Sequence, residues 1–118
     1  MEPEATPPKL AVIGCGYWGK NLVRNYADLG VLEAVCDSNP QTAKSFADQH
    51  SVRQLSFEEI LQSSHITAIA IALPAAQHAS AAMAALKAGK HVFVEKPLAL
   101  TVQEAEALVA EATKRSLT

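Results

Sequence analysis

Three groups of residues in this chain have the types and spacing to do chemistry. The first is Gly14-Cys15-Gly16-Tyr17-Trp18-Gly19, a G-x-G-x-x-G pattern. It follows a short aliphatic run, Lys9 to Ile13, and opens a stretch of helical periodicity, which is the context the pattern needs. In that setting Gly14 permits the tight turn. Gly16, without a side chain, lets a pyrophosphate approach the backbone, and Gly19 lets the helix pack closely on the strand. The N–H groups at the helix start and the helix dipole meet the phosphate charge. The competing reading is a tight strand-to-helix turn with no ligand.

Asp37 is the second. It stands 18 positions after Gly19, at the end of the second aliphatic run. A carboxylate there can accept hydrogen bonds from the adenosine ribose hydroxyls and would repel a 2′-phosphate. The next residues, Ser38 and Asn39, offer no cation to hold such a phosphate, so the reading favours NAD over NADP. The competing role for Asp37 is a helix N-cap, and the two roles are compatible.

The third is Glu95-Lys96-Pro97, directly after the fifth aliphatic run. Ligands of doubly wound sheets sit at the carboxyl ends of the strands, so a lysine at that edge points toward the cofactor. Hydride transfer from a hydroxyl-bearing carbon requires that the hydroxyl lose its proton. Lys96 can hydrogen-bond that oxygen and help pass the proton on, best with its pKa brought from about 10.4 toward roughly 7–8. Otherwise Lys96 is a surface lysine in an ion pair. Pro97 fixes the turn, and a cis bond before it is the expectation.

Other candidates are weaker. Pro74 ends the fourth run and His78 lies in the first turn of the next helix, where it could simply bond a nearby backbone group. Cys15 and Cys36 fall near the ends of neighbouring strands. No activating base is indicated for either thiol, and two cysteines make no disulfide framework. His50, His65 and His91 have no metal-ligand spacing, and no metal site is expected.

The elements that must position these residues alternate between short aliphatic runs and helical patterns. Lys9–Ile13 is continuous rather than alternating, as in a strand buried on both faces. Gly19, Leu22, Val23 and Tyr26 mark a helix that Gly30 stops. Val31–Cys36 is the second strand. Ser38 or Asn39 caps the next helix, with Pro40 in its first turn and Ala43, Phe46 and Ala47 on its apolar face. A short strand near Val52–Gln54 precedes Ser56-Phe57-Glu58-Glu59, which has capping-box spacing. Thr67–Leu73 is a strand, and Ala79, Ala82, Met83 and Leu86 mark a helix ending at Gly89. His91–Glu95 is the fifth strand. Thr101 to Glu104 has the spacing of a second capping box, and Ala105, Leu108, Val109 and Ala112 form a buried stripe behind it. Right-handed crossovers turn this order into an α/β doubly wound parallel sheet of the Rossmann type, of about five strands.

Composition sets outer limits. The chain has 118 residues, 49% of them apolar, which suits one domain rather than two. Residues 1–8 read as a flexible tail and 9–118 as a dinucleotide-binding domain. A net charge of −2 gives no footprint for nucleic acid or anionic lipid. The acidic start, and the lack of any apolar run near the ~18–20 residues of a membrane helix, point to a cytoplasmic location.

The segments GCGYWG, VCDSNP and ALPAAQHASAAMAALKAGKHVFVEKPLAL together resemble the N-terminal half of the glucose–fructose oxidoreductase, inositol dehydrogenase and rhizopine-catabolism (Gfo/Idh/MocA) family. The likeness runs over about residues 8–115, and its most specific part is A-G-K-H-V-F-V-E-K-P-L-A. It implies an NAD(P)-dependent oxidoreductase acting on sugars, nucleotide sugars or cyclitols. Lys96 would be the active-site lysine, and Glu95 would lie beside the nicotinamide ribose. Leu73, Pro74 and His78 would form part of the nicotinamide-side wall, while Tyr17 and Trp18 would contact the pyrophosphate. Members of the family continue with a sixth strand and a second α/β domain that supplies the substrate pocket and a partner histidine. The expectation is therefore an NAD-binding domain that binds cofactor without efficient turnover. Self-association is expected through the face that the second domain covers. The alternative is a non-enzymatic, dinucleotide-sensing Rossmann domain that gates a partner, against which Glu95-Lys96-Pro97 argues.

Overall fold

The structure is a computed structural model and describes residues 8–16 and 19–118. The elements run β1 (Leu10–Ile13), α1 (Gly19–Asp28), β2 (Leu32–Cys36), α2 (Pro40–His50), β3 (Arg53–Gln54), α3 (Phe57–Gln62), β4 (Ala68–Ile71), a 3-10 turn (Ala75–Gln77), α4 (His78–Lys87), β5 (His91–Val94) and α5 (Val102–Lys114). The strands form one parallel sheet in the order β3-β2-β1-β4-β5. This is the expected doubly wound arrangement, with the order reversing at β1.

β1 is central, and all four of its residues are buried. Its side chains alternate between two cores. Leu10 and Val12 join Val23 of α1 and Ala47 of α2 on one face. Ala11 and Ile13 join Ile60 of α3, Ala85 and Leu86 of α4 and Leu108 of α5 on the other. A strand covered on both sides needs apolar residues at consecutive positions, which is why its sequence reads as an unbroken run.

Local chemistry sets the helix starts. Asn39 caps α2, its Oδ1 accepting from the Gln41 and Thr42 N–H groups at 3.0 and 3.4 Å. The N-cap role considered for Asp37 therefore falls to Asn39. Ser56 and Glu59 form a reciprocal capping box on α3. At α5 only half of the expected box forms. Thr101 Oγ1 accepts from the Glu104 N–H at 3.1 Å, while the Glu104 carboxylate takes the Thr101 hydroxyl at 3.2 Å.

Three expectations are corrected. β4 is shorter than Thr67–Leu73: its pairing with β1 stops at Ile71, opposite Ile13, after which Gly14, at a φ of +91°, begins the turn. β5 stops one residue before Glu95, though the Glu95 N–H still donates to Ile71 O at 3.0 Å. Val109 is 59% exposed rather than buried. α5 packs against α4 through Leu108, which leaves Val109 at the rim of an open apolar groove beside Val94 and Leu98. The outer edge of β5 meets the chain once more, where the Val92 N–H donates to Thr118 O at 2.8 Å. No helix among the described residues is long and apolar enough to cross a membrane.

Candidate functional site

Strand register brings the chemistry to one edge. Ile13 pairs with Cys36 and with Ile71, and Ile71 pairs with Val94. The next residues, Gly14, Asp37, Ala72 and Glu95, therefore leave the sheet side by side at its carboxyl end.

Two glycines make the first turn possible. A Cβ on Gly14 would stand 2.7 Å from Ala72 O, and one on Gly19 would stand 1.7 Å from Gly14 O. Both distances are far inside van der Waals contact. Only glycine lets the start of α1 come this close to the end of β1. Gly16 is exposed, with nothing within 4 Å of where its Cβ would be. That leaves open backbone in front of the α1 N-terminus, a setting suited to a phosphate. Tyr17 and Trp18, the expected pyrophosphate contacts, lie outside the described residues.

Asp37 ties the second turn to the first. Its Oδ2 accepts from the Cys15 N–H at 2.7 Å, and its Oδ1 accepts from the Asn39 N–H at 2.8 Å. A carboxylate has about four acceptor sites, so each oxygen keeps capacity for a further donor such as a ribose hydroxyl. The spacing pointed to Asp37, but the Cys15 N–H as its partner had no signal in the sequence.

The cysteines are neighbours of a different kind. Cys15 is buried, and its Sγ lies 3.7 Å from Cys36 O. Burial first, then the charge of Asp37 and the second thiol, push the Cys15 thiol up to about 12. Burial and Asp37 push Cys36 up as well. Neither is poised as a thiolate nucleophile.

Glu95 is half-buried and Lys96 exposed at the far side of the edge, and the Lys96–Pro97 peptide is cis. His78 is 2% exposed. Its Nδ1 lies 2.6 Å from Pro97 O and its Nε2 2.6 Å from Leu73 O. It thus stands behind the Leu73–Pro74 turn with both ring nitrogens engaged by main chain. Lys90 was not singled out from sequence at all. It is 6% exposed, and its ammonium donates to Ser63 O and Ile66 O. Burial lowers its pKa. No carboxylate spacing announces it, because its partners are carbonyls.

Residues 9–118 match the family model described as an oxidoreductase family with an NAD-binding Rossmann fold, GFO/IDH/MocA. The chain belongs to this family. It is 32% identical over 109 residues to the UDP-N-acetylglucosamine 3-dehydrogenase of Acidithiobacillus ferrooxidans, covering 92% of this chain and 34% of that protein. It is 35% identical to a glycosyl hydrolase family 109 protein from a Shewanella species, covering 98% of this chain and 28% of that one. Among solved structures it matches a 3-ketoreductase from Actinomadura kijaniata, in complex with NADP and TDP-benzene. There the TM-score is 0.88 at 30% identity, over 95% of this chain and 36% of that one. The chain thus spans about a third of the length of these Gfo/Idh/MocA relatives. As an NAD-binding Rossmann fold, it presents the glycine turn, Asp37, the Leu73–Pro74 turn and Glu95-Lys96 along one sheet edge.

Proposed function

We propose that this chain is the cofactor-binding half of an oxidoreductase that moves a hydride between a nicotinamide and a secondary alcohol of a sugar, nucleotide sugar or cyclitol. A bound nicotinamide dinucleotide supplies the hydride acceptor or donor. The main chain of Gly14, Gly16 and Gly19, with Tyr17 and Trp18, holds the pyrophosphate at the α1 N-terminus. Asp37 accepts from the adenosine ribose hydroxyls, which favours NAD over NADP. Leu73 and Pro74 form the nicotinamide-side wall with His78 behind them, and Glu95 stands beside the nicotinamide ribose. Lys96 hydrogen-bonds the reacting oxygen of the substrate and takes its proton in oxidation, or returns it in reduction. The chain spans about a third of the length of its relatives, and by itself it binds cofactor and turns over slowly or not at all. Its apolar β5 side favours self-association.

One observation carries the cofactor reading most directly. The Asp37 carboxylate is fixed by the glycine turn itself, at 2.7 Å from the Cys15 N–H, with acceptor capacity to spare. Calorimetric titration of NAD(H) into the wild type, Asp37→Asn and Asp37→Ala tests it. Expected are measurable binding by the wild type and a loss of about tenfold or more in both variants, with unfolding midpoints recorded alongside. No binding by the wild type, or no loss in folded variants, overturns the reading. NADP run in parallel is expected to bind more weakly than NAD. Equal or tighter binding of NADP overturns the preference for NAD.

A further inference from the structure

His78 joins the turn after β4 to the turn after β5. Leu73 follows β4 and Pro97 follows β5, and the ring sits between their carbonyls with 2.6 Å on each side. A carbonyl oxygen only accepts, so each contact is a hydrogen bond only where that ring nitrogen carries a hydrogen. A neutral imidazole has one such hydrogen and closes one bridge, whereas a ring carrying both closes both. At 2% exposure no water substitutes for a missing donor at little cost.

Lys96 immediately precedes Pro97, and its side chain is exposed. Among the described residues no side chain holds the Lys96 ammonium, so its place follows from the main chain from which it starts. A displacement of about 1 Å at a reacting group can cost on the order of a hundredfold in rate. We propose that His78 is a positioning residue: by bridging Leu73 O and Pro97 O it sets where Glu95 and Lys96 stand relative to the Leu73–Pro74 turn. The proposal builds on the role given to Lys96 above, while the bridge itself is independent of it. The titratable groups on the surrounding elements are Glu95 and Lys96 on the Pro97 turn and Glu104 at the start of α5. The Leu73 turn and the rest of the first turn of α4 carry none.

Two hydrogen-bonded amides report on the two turns. The Ala72 N–H donates to Ile13 O at 2.8 Å and the Glu95 N–H to Ile71 O at 3.0 Å. In His78→Ala, hydrogen exchange at both is expected to rise together by about tenfold, while the amides of α1 and α2 keep their rates. His78→Gln, whose amide group can donate to one carbonyl, is expected to restore one reporter and not the other. A uniform rise in exchange through the whole chain, or an unaffected turn, overturns the proposal. Should His78→Ala fail to fold, the exchange pattern of His78→Gln decides. NADH titrations separate the two readings. A wild type that binds no NADH refutes the cofactor role and leaves the bridge to stand or fall on exchange. A wild type and folded His78→Ala that bind NADH equally tightly refute positioning, and a loss of about fivefold or more supports it.

Discussion

At the scale of single residues, the thiol beside the glycine turn has a consequence for stability. Cys15 keeps its proton in the folded chain up to about pH 12, against an ordinary value of 9.0. Between those values the unfolded chain releases the proton and the folded chain does not. The unfolded state therefore binds fewer protons there, and stability falls as pH rises. The contribution is fully present below about pH 9 and is lost progressively toward pH 12. Cys36, also raised, adds with the same sign, whereas Lys90, lowered, acts in the opposite direction. Urea midpoints measured between about pH 8 and about pH 10 should decline in the wild type and decline less steeply in Cys15→Ala. Equal slopes in the two proteins would contradict the assignment.

At the scale of elements, Lys90 is the clearest case of one side chain holding several segments in place. It reaches from the turn before β5 to the carbonyls of Ser63 and Ile66, which lie between α3 and β4. A methionine in its place would fill similar volume but leave both carbonyls without a donor. Lys90→Met should lower unfolding stability by about 2 kcal/mol or more, read from urea unfolding at neutral pH. A change within about 0.5 kcal/mol would show that water takes over the role. The order of elements was legible because this fold writes itself in continuous apolar runs and capping residues. Lys9–Ile13 and Ser56–Glu59 are read directly from local rules. What was not legible depends on partners far away in the chain. The sequence could place His78 at a helix start but could not show that Pro97, 19 residues on, would meet its ring. Val109 has the right helical phase for burial, yet phase alone does not reveal which side a neighbouring helix covers. The spacing of Asp37 pointed to a ribose and was silent about its grip on Cys15.

At the scale of the whole molecule, the two edges of the sheet differ. β3 is two exposed residues, one of them Arg53, and is a poor template for further pairing. The β5 side carries apolar groups in the open: Val102 is 70% and Val109 59% exposed on α5 by the groove that Leu98 also lines, and Phe93, 48% exposed, points to the opposite face of β5 from Val92 and Val94. Exposed apolar surface of this kind favours association. The chain on its own should therefore self-associate as concentration rises, and Val109→Asp should shift light scattering toward monomer without lowering the unfolding midpoint. A clean monomer at high concentration would argue against it.

The grip of Asp37 on the glycine turn bears on how such a protein could be re-engineered. Its carboxylate holds two main-chain N–H groups, from Cys15 and Asn39. Exchanging it for a small neutral residue to admit a 2′-phosphate also unlatches the glycine turn, the loop to which the proposed function assigns the pyrophosphate. A change of cofactor is here a coupled, two-site design problem: the replacement must come with a new acceptor for Cys15. Single substitutions at Asp37 should trade affinity away before they alter preference.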